Sequence, residues 1–373
     1  MNLNTFQIVI ISLLSLSLIA QMAYYWGIFA RLAFHKKADE PSQVLPPVSV
    51  VVAARNEYHH LKKNLPALLN QEYHKFEVIV VNHASDDETA DYLKEMQQNH
   101  PNLKVITIER DLNFFHGKKF PLAIGIKSAA HDLLVLTDAD CKPASNQWVQ
   151  KIAEKYDAHT DIVLAYGPYE REKGLLNRVI RYDTFIVAMQ YLSYALAGMP
   201  YMGVGRNLSY RKNLFFKQKG FIAHYNVSSG DDDLFINQAA TAKNTKLALD
   251  TQAFVYSEPK HSWNEWFTQK TRHFSSGKKY KHKFKWLLGG YNLSLGIFYL
   301  SLLGMLLTKT LLLIALLAFL IRLISQFIIH HKILKRLNEP QLLVFSLFWE
   351  PVYILLIAFL GILGLTSKSI QWK

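Results

Sequence analysis

DLLVLTDAD (132–140) is an apolar run of strand length that ends on two carboxylates one residue apart. A short apolar run bounded by charge is the pattern of a strand buried on both faces. Three similar runs precede it: VSVVVAARN (48–56), FEVIVVNH (76–83) and LKVITIE (103–109). Helical stretches separate them: YHHLKKNLPALLNQ with Pro66 inside, TADYLKEMQQNH, and KKFPLAIGIKSAA, where Pro121 must fall in the first turn. This alternation predicts an α/β domain with a mostly parallel sheet covered by helices. Ligands of such folds gather at the carboxyl ends of the strands, where Asn56, Asn82, His83, Asp138 and Asp140 all fall. Beyond Asp140 the order becomes mixed. A helix is expected near 146–157, a strand in DIVLAYGPY, and a helix over 174–198. The apolar part of that last helix is too short to cross a bilayer, so it reads as a core or interfacial helix.

Half of the 373 residues are hydrophobic, yet 42 Lys and Arg against 29 Asp and Glu leave a formal charge of +13. The apolar content excludes disorder, and one cysteine, Cys141, excludes a disulfide scaffold. The basic excess suits nucleic acid, an anionic membrane face or a phosphate-bearing substrate, and its distribution chooses among them. Residues 6–29 carry no charge, and about 20 apolar residues suffice for a membrane helix. A cleaved signal peptide competes with that reading, but MNLNTFQ lacks the basic n-region it needs. Runs at about 290–308, 310–329 and 341–364 bring the spans to four, with Arg322 inside the third and Glu350-Pro351 inside the fourth. A charge within a span should face other helices or water. Glu350 beside Pro351 therefore marks either a kinked, protein-facing site or a span split into two pieces.

Arg31, Lys36 and Lys37 follow the first span, and Lys332, Lys335 and Arg336 separate the last two. Seven more Lys and Arg lie between Gln269 and Lys285, against only Lys309, Lys368 and Lys373 on the other side. This asymmetry places residues 31–285 in the cytoplasm and both termini outside. The expected organisation is a membrane helix in 1–30, an α/β domain over 46–262, a basic interfacial segment over 263–288 and three membrane helices over 289–365. A nucleic-acid binder would carry its cations as a soluble stripe, whereas these border membrane spans.

Four segments hold candidate chemistry. Asp138 and Asp140 have strand spacing i, i+2 and project to one side. Carboxylates there need a partner or a cation, and oxygen ligands suit Mg2+ or Mn2+ shared with a substrate diphosphate; the plainer reading is a solvated turn. Gly117-Lys118 precedes a helix, where a lysine and a helix N-terminus attract phosphate, or it is a surface lysine. Asp231, Asp232 and Asp233 precede an amphipathic helix, which they could simply cap; repulsion and burial would make one of them a general base. Gln269, Arg272 and His273 share a helix face within either an active-site helix or a basic segment lying on anionic lipid. GVGRN (203–207) looks like a backbone-approach loop and lacks the third glycine of a dinucleotide fingerprint.

PPVSVVVAARNE, SDDET, HGKK, LTDADCKP, GDDDL and QKTRH, in that order, resemble the membrane-bound family 2 glycosyltransferases of GT-A fold, in their synthase-like branch, over about residues 46–275. The resemblance implies a Rossmann-like nucleotide-sugar domain beside about four transmembrane helices. It implies that Asp138 and Asp140 hold the metal and nucleotide, and that Lys118 touches the diphosphate, with Asn56, Asn82 and His83 on the donor side. Asp232 would deprotonate the acceptor hydroxyl, or Asp231 if the motif is registered as E-D-x-D-L. Gln269 and Arg272, with His273, would stabilise the departing diphosphate, and Gly205, Arg206 and Asn207 would lie on the acceptor side. Two departures stand out. The family's D-D-G-S-T-D reads Asn82-His83-Ala84-Ser85-Asp86-Asp87, so the aspartate that contacts the base is missing. Q-x-x-R-W ends in His273 instead of Trp.

The expected enzyme is an inverting, metal-dependent glycosyltransferase of hexosyltransferase type. It would move a sugar from a nucleotide-sugar donor to a lipid or lipid-linked glycan at the cytoplasmic membrane face. A processive polysaccharide synthase is the alternative; four spans are few for a channel, so a homo-oligomer or partner subunit would have to complete the exit path. An inactive transferase-like membrane scaffold is the non-enzyme alternative, supported by Asn82-His83. Cys141 is expected to be a small residue beside the metal site.

Overall fold

The computed structural model describes residues 4–36, 45–109, 117–227 and 229–366. Lys37, Lys368 and Lys373, used above for orientation, lie outside them, as does the histidine of HGKK. The described chain divides into two compact units, one formed by the residues up to Lys36 with Tyr280–Leu365 and the other by the intervening residues up to Lys279.

The N-terminal helix α1 (Thr5–Met22) begins at Asn4, whose side chain accepts from the Gln7 N–H at 2.8 Å. It continues through π-helical turns (Ala23–Phe29) into α2 (Ala30–Ala33).

The intervening unit runs β1 (Val48–Ala54), α3 (Tyr58–Leu69), β2 (Phe76–His83), α4 (Thr89–Asn99), β3 (Leu103–Ile108), α5 (Lys119–Ser128) and β4 (Leu133–Asp138). It goes on through β5 (Cys141–Pro143), α6 (Trp148–Ala153), β6 (Ile162–Ala165), α7 (Leu175–Leu196), β7 (Leu208–Arg211) and α8 (Lys212–Lys217). It ends with α9 (Asp233–Ala239), β8 (Thr245–Ala248), β9 (Val255–Ser257) and α10 (Trp263–Gly277). A seven-stranded sheet has the order β3-β2-β1-β4-β7-β6-β8, and β5 and β9 form a separate pair. The first four strands are parallel, as the strand–helix alternation predicts, while β7 runs antiparallel to both β4 and β6.

Every residue of β1 is buried, which is why it reads as an apolar run broken only by Ser49, whose hydroxyl donates to Glu77 at 2.6 Å. Val50, Val52, Val78 and Val80 pack against Leu61, Leu65 and Trp148. On the other face α5 approaches so closely that a Cβ on Gly125 would meet Val51 Cγ1 at 2.6 Å. β3, at the sheet edge, is only partly covered. The register sets Ala53 opposite Asp138 and Ala54 opposite Asn82. The strand order turns between β1 and its two neighbours, the switch point at which open α/β sheets bind ligands.

The rest of the first unit is α11 (His282–Leu307), α12 (Leu312–Arg336) and α13 (Leu343–Thr366). With Thr5–Ala33, the unit has four helices long and apolar enough to cross a membrane. Its polarity is inverted relative to a soluble core: Leu16, Leu313, Phe348 and Leu355 are exposed, while Gln21, Arg322, Gln326, His330 and Glu350 are buried. That distribution is the one lipid demands. Pro351 lies inside a continuous α13, so Glu350 is protein-facing and the span is not split. Its carboxylate pairs with Arg322 at 2.7 Å and accepts from Tyr299 Oη at 2.7 Å. Arg322 also donates to Gln21 Oε1 at 3.1 Å, and Gln21 donates to Ser294 Oγ at 2.8 Å.

Candidate active site

Asp138 is the last residue of β4, but Asp140 lies in the turn before β5. The strand spacing expected for the pair is therefore broken, because the chain bends at Ala139 to start a new strand. The bend still brings the acids together: one ligand atom from each of Asp138, Asp140 and Cys141 lies within 4.8 Å of the others. Asn64 of α3 holds the bend by donating to the Ala139 carbonyl at 3.1 Å. The Cys141 thiol donates to Asp140 Oδ1 at 3.2 Å and lies 3.0 Å from Ser257 Oγ. Burial and the neighbouring carboxylates push this thiol's pKa well up, so it stays protonated.

Asp138 lies in the positive field of three cations. Lys118, at the start of α5, forms an ion pair with it, and Arg206 and Arg272 add positive potential. Burial pushes the Asp138 carboxyl up, but the Lys118 ion pair together with Arg206 and Arg272 outweighs this and holds it below the usual carboxylate range. Asp140 goes the other way, raised by burial and then by the charge of Asp138. Lys118 Nζ also lies 4.0 Å from Asp231 Oδ2, so one ammonium bridges the end of β4 and the acidic motif.

Within that motif each acid has a different task. Asp232 caps α9, and its two oxygens accept from the N–H of Gly205 and of Asp233, both at 2.7 Å. Burial, then the neighbouring Asp231 and Asp233, push its pKa up to about 7. Asp233 is buried and accepts from Ser276 Oγ of α10.

Gln269 donates to Tyr169 Oη at 3.3 Å, and the same hydroxyl accepts from Arg206 Nη1 at 3.2 Å. Arg206 stacks over the Tyr169 ring at 4.6 Å, and its Nε donates to the Gly167 carbonyl at 2.7 Å. Tyr169, in the loop after β6, thus links Gln269 of α10 to Arg206, while burial and then the charges of Lys270, Arg272 and Arg206 hold the His273 imidazole well below its usual pKa. Asn207 is fully buried, its amide donating to the Tyr166 and Ala253 carbonyls and accepting from Trp148. Asn56, at φ 54°, accepts from the Asp86 N–H, while its own N–H donates to Ser85 Oγ. It clasps the loops after β1 and β2. Asn82 and His83 are buried at the end of β2, His83 beside Phe120 at 6.1 Å between ring centres. Asn82 Oδ1 has no hydrogen-bond partner among the described residues. Ala84 takes φ 46°, the left-handed backbone that glycine would adopt without strain.

Three structural residues were not singled out in the sequence. Tyr169 has only its position after an apolar strand to mark it. Lys119 is buried and donates to the carbonyls of His224 and Val227, both at 2.7 Å, with burial pushing its pKa down to about 8. Asp183 pairs with Lys270; the visible signal was the one acid in α7, just before its apolar stretch.

A family model, that of glycosyl transferase family 21, matches residues 10–373. The chain belongs to glycosyl transferase family 21. The motifs resemble family 2, and the matching family carries another number; both readings make the protein a GT-A-type glycosyltransferase, an enzyme. This member of family 21 is 25% identical over 309 residues to the probable glycosyltransferase YdaM of Bacillus subtilis, covering 74% of this chain and 67% of the relative. It is 30% identical over 138 residues to an uncharacterized glycosyltransferase of Haemophilus influenzae, over 35% of this chain and 40% of that one. A poly-β-1,6-N-acetyl-D-glucosamine synthase of Staphylococcus aureus is 28% identical over 123 residues, 33% of this chain and 29% of the synthase. A mannosyltransferase of Pyrobaculum calidifontis, solved with GDP-Man and Mn2+, shares the fold at a TM-score of 0.60 and 18% identity, over 92% of this chain and 98% of its own.

Proposed function

We propose that this glycosyltransferase uses a nucleotide-sugar donor and inverts the anomeric centre, transferring to a lipid or lipid-linked glycan at the cytoplasmic face of the membrane. The observation that carries the donor assignment is Lys118, whose ammonium pairs with Asp138 and lies 4.0 Å from Asp231 Oδ2, in a site where Arg206 and Arg272 add positive potential. Three cations beside a carboxylate pair suit a diphosphate better than a neutral sugar. The oxygen donors of Asp138 and Asp140 fit Mg2+ or Mn2+. When bound, such an ion neutralises charge on the leaving diphosphate.

The chain's own residues account for the remaining steps. Lys118 and Arg272 hold the diphosphate by charge, and Gln269 orients it from the same helix. Asn82 Oδ1, a buried acceptor without a partner, receives an N–H or O–H of the nucleoside, taking over from the missing aspartate. Asp232 accepts the acceptor hydroxyl's proton as the oxygen attacks the anomeric carbon. Its two backbone hydrogen bonds fix the carboxylate's direction. One base and one displacement give inversion.

Four membrane helices favour an acceptor that itself resides in lipid. The similarity to the S. aureus synthase, over a third of the chain, supports a second reading, a processive polysaccharide synthase completed by another subunit. Full-length protein in lipid nanodiscs is to be given a panel of labelled nucleotide sugars, with Mg2+ or Mn2+ and membrane lipid extract. A single labelled glycolipid supports the first reading and a polymer ladder the second. Turnover that survives both Asp138→Ala and Asp232→Ala would refute the site.

A further inference from the structure

The residues assigned to the diphosphate on α10 are interleaved with residues that face inward. Between Gln269 and Arg272 lies Lys270, whose ammonium is 2.7 Å from Asp183 Oδ2 on α7. Both side chains are almost wholly removed from solvent, at 10% and 7% exposure. One turn beyond Arg272, Ser276 donates to Asp233, the third acid of the motif. Between the two, Ser229, just ahead of the acidic motif, donates to the Arg272 carbonyl at 3.4 Å.

We infer that the Lys270–Asp183 ion pair and the Ser276–Asp233 hydrogen bond are positioning elements of the reaction, fixing the register of α10 so that Gln269 and Arg272 meet the diphosphate. This rests on the role proposed for Arg272 above. The physical case begins with cost. A buried ion pair loses more hydration than its attraction returns unless its geometry is good, and an apolar pair of similar volume is often at least as stable. Asp183 is flanked along α7 by buried Tyr182, Phe185 and Ile186 and also by buried Arg181 and Thr184, so its surroundings are mixed and do not by themselves demand a charge. What a charged pair adds is direction. Apolar side chains tolerate a slide of α10 along α7, whereas an ammonium and a carboxylate at 2.7 Å do not. Register matters here because a misplacement of about 1 Å at a catalytic group can cost on the order of 100-fold in rate. The Asp233 link ties the same helix to the motif that carries Asp232, so the leaving-group side and the base side of the site are held in one frame.

The test uses full-length protein in nanodiscs and four variants: Arg272→Ala, Asp183→Leu with Lys270→Met as a double, Lys270→Met alone, and Ser276→Ala. Donor turnover, donor KM, thermal unfolding and Mn2+ affinity by electron paramagnetic resonance are measured for each. The apolar double variant is expected to unfold near the parent's temperature and to bind Mn2+ as the parent does, while kcat falls about 10-fold or more. Ser276→Ala is expected to lose kcat several-fold in the same way, and it carries the test should the charge variants not fold. If Arg272→Ala cripples turnover but the double variant and Ser276→Ala keep the parent's kcat, the pair is merely structural and the inference is overturned. If Arg272→Ala itself leaves turnover intact, the role proposed for Arg272 fails first.

Discussion

Asp232 Oδ2 accepts a hydrogen bond from the Gly205 N–H at 2.7 Å. The contact joins the acidic motif to the loop that leads into β7, and from there to the strand that ends on Asp138. A base that must meet its substrate in one orientation gains from such fixing, since a freely rotating carboxylate would spend little time aligned.

The raised pKa of Asp232 has a direct kinetic consequence. The base proposed here works only when ionised, so kcat/KM should rise about tenfold per pH unit below about 7 and level off above it. Stability moves in the opposite sense. The folded state holds a proton that the unfolded chain releases near its ordinary value of about 3.9, so stability declines as pH rises from there towards about 7. Asp232→Asn should remove both slopes. A kcat/KM profile flat from about pH 5.5 to 8 would exclude Asp232 as the base.

Gly205→Ala tests the contact itself. The backbone there is not in the left-handed region, so conformation is no obstacle. A Cβ would, however, lie 3.2 Å from Asp232 Oδ2 and 3.4 Å from its Cβ. Relief requires a shift of a few tenths of an ångström, at about 1 kcal/mol of stability. Turnover should fall several-fold with donor KM little changed, because the displaced group is the one proposed to act on the acceptor. A larger effect on donor KM than on kcat would contradict this placement.

Lys118 occupies the carboxylate that a metal would need, and so competes with it. Lys118→Met should therefore leave Mn2+ affinity equal to the parent's or tighter, while donor KM rises about tenfold or more through the lost charge on the diphosphate. Titration of Mn2+ by electron paramagnetic resonance and steady-state donor hydrolysis read the two effects separately. Parallel weakening of both would show that Lys118 supports the metal site instead of opposing it.

Much of this arrangement was visible in the chain. The apolar runs of β1 to β4 and their spacing specify a parallel sheet because each strand is buried on both faces and each crossover is a helix. The acids at the end of β4 stand out because carboxylates rarely close an apolar strand. After Asp140 the signal weakens. β7 inserts between β4 and β6, pairing Leu134 with Tyr210, and no local pattern encodes a partner so distant in sequence. Asn207 and Asn56 looked like ligand-facing residues, but both amides are engaged with the chain itself. A polar residue in a loop looks the same in sequence whether it faces a ligand or holds two backbones together. Lys270 was hidden for the converse reason. Among seven nearby Lys and Arg its charge resembled a membrane-facing cation, and only the fold brings Asp183 to it.

The intramembrane pair Arg322–Glu350 yields the clearest stability prediction. Both side chains are 2% exposed, and they are 2.7 Å apart. Partners from the other two spans surround them: Gln21 and Tyr25 from the first, Tyr299 from the second. Removing one charge leaves the other without its counter-ion in a medium that cannot hydrate it. Arg322→Met or Glu350→Gln alone should each cost about 3–5 kcal/mol. Replacing both, as Arg322→Met with Glu350→Leu, should recover much of that, since no unpaired charge remains. With Glu350→Leu added as a third single variant, thermal unfolding of the parent, Arg322→Met, Glu350→Leu and their double in one detergent gives the interaction as a double-mutant cycle. Single variants that melt with the parent would mean that water or lipid headgroups reach the pair. A double variant that melts no higher than the singles would mean that the hydrogen bonds from Gln21 and Tyr299, more than the ion pair, hold the four helices together.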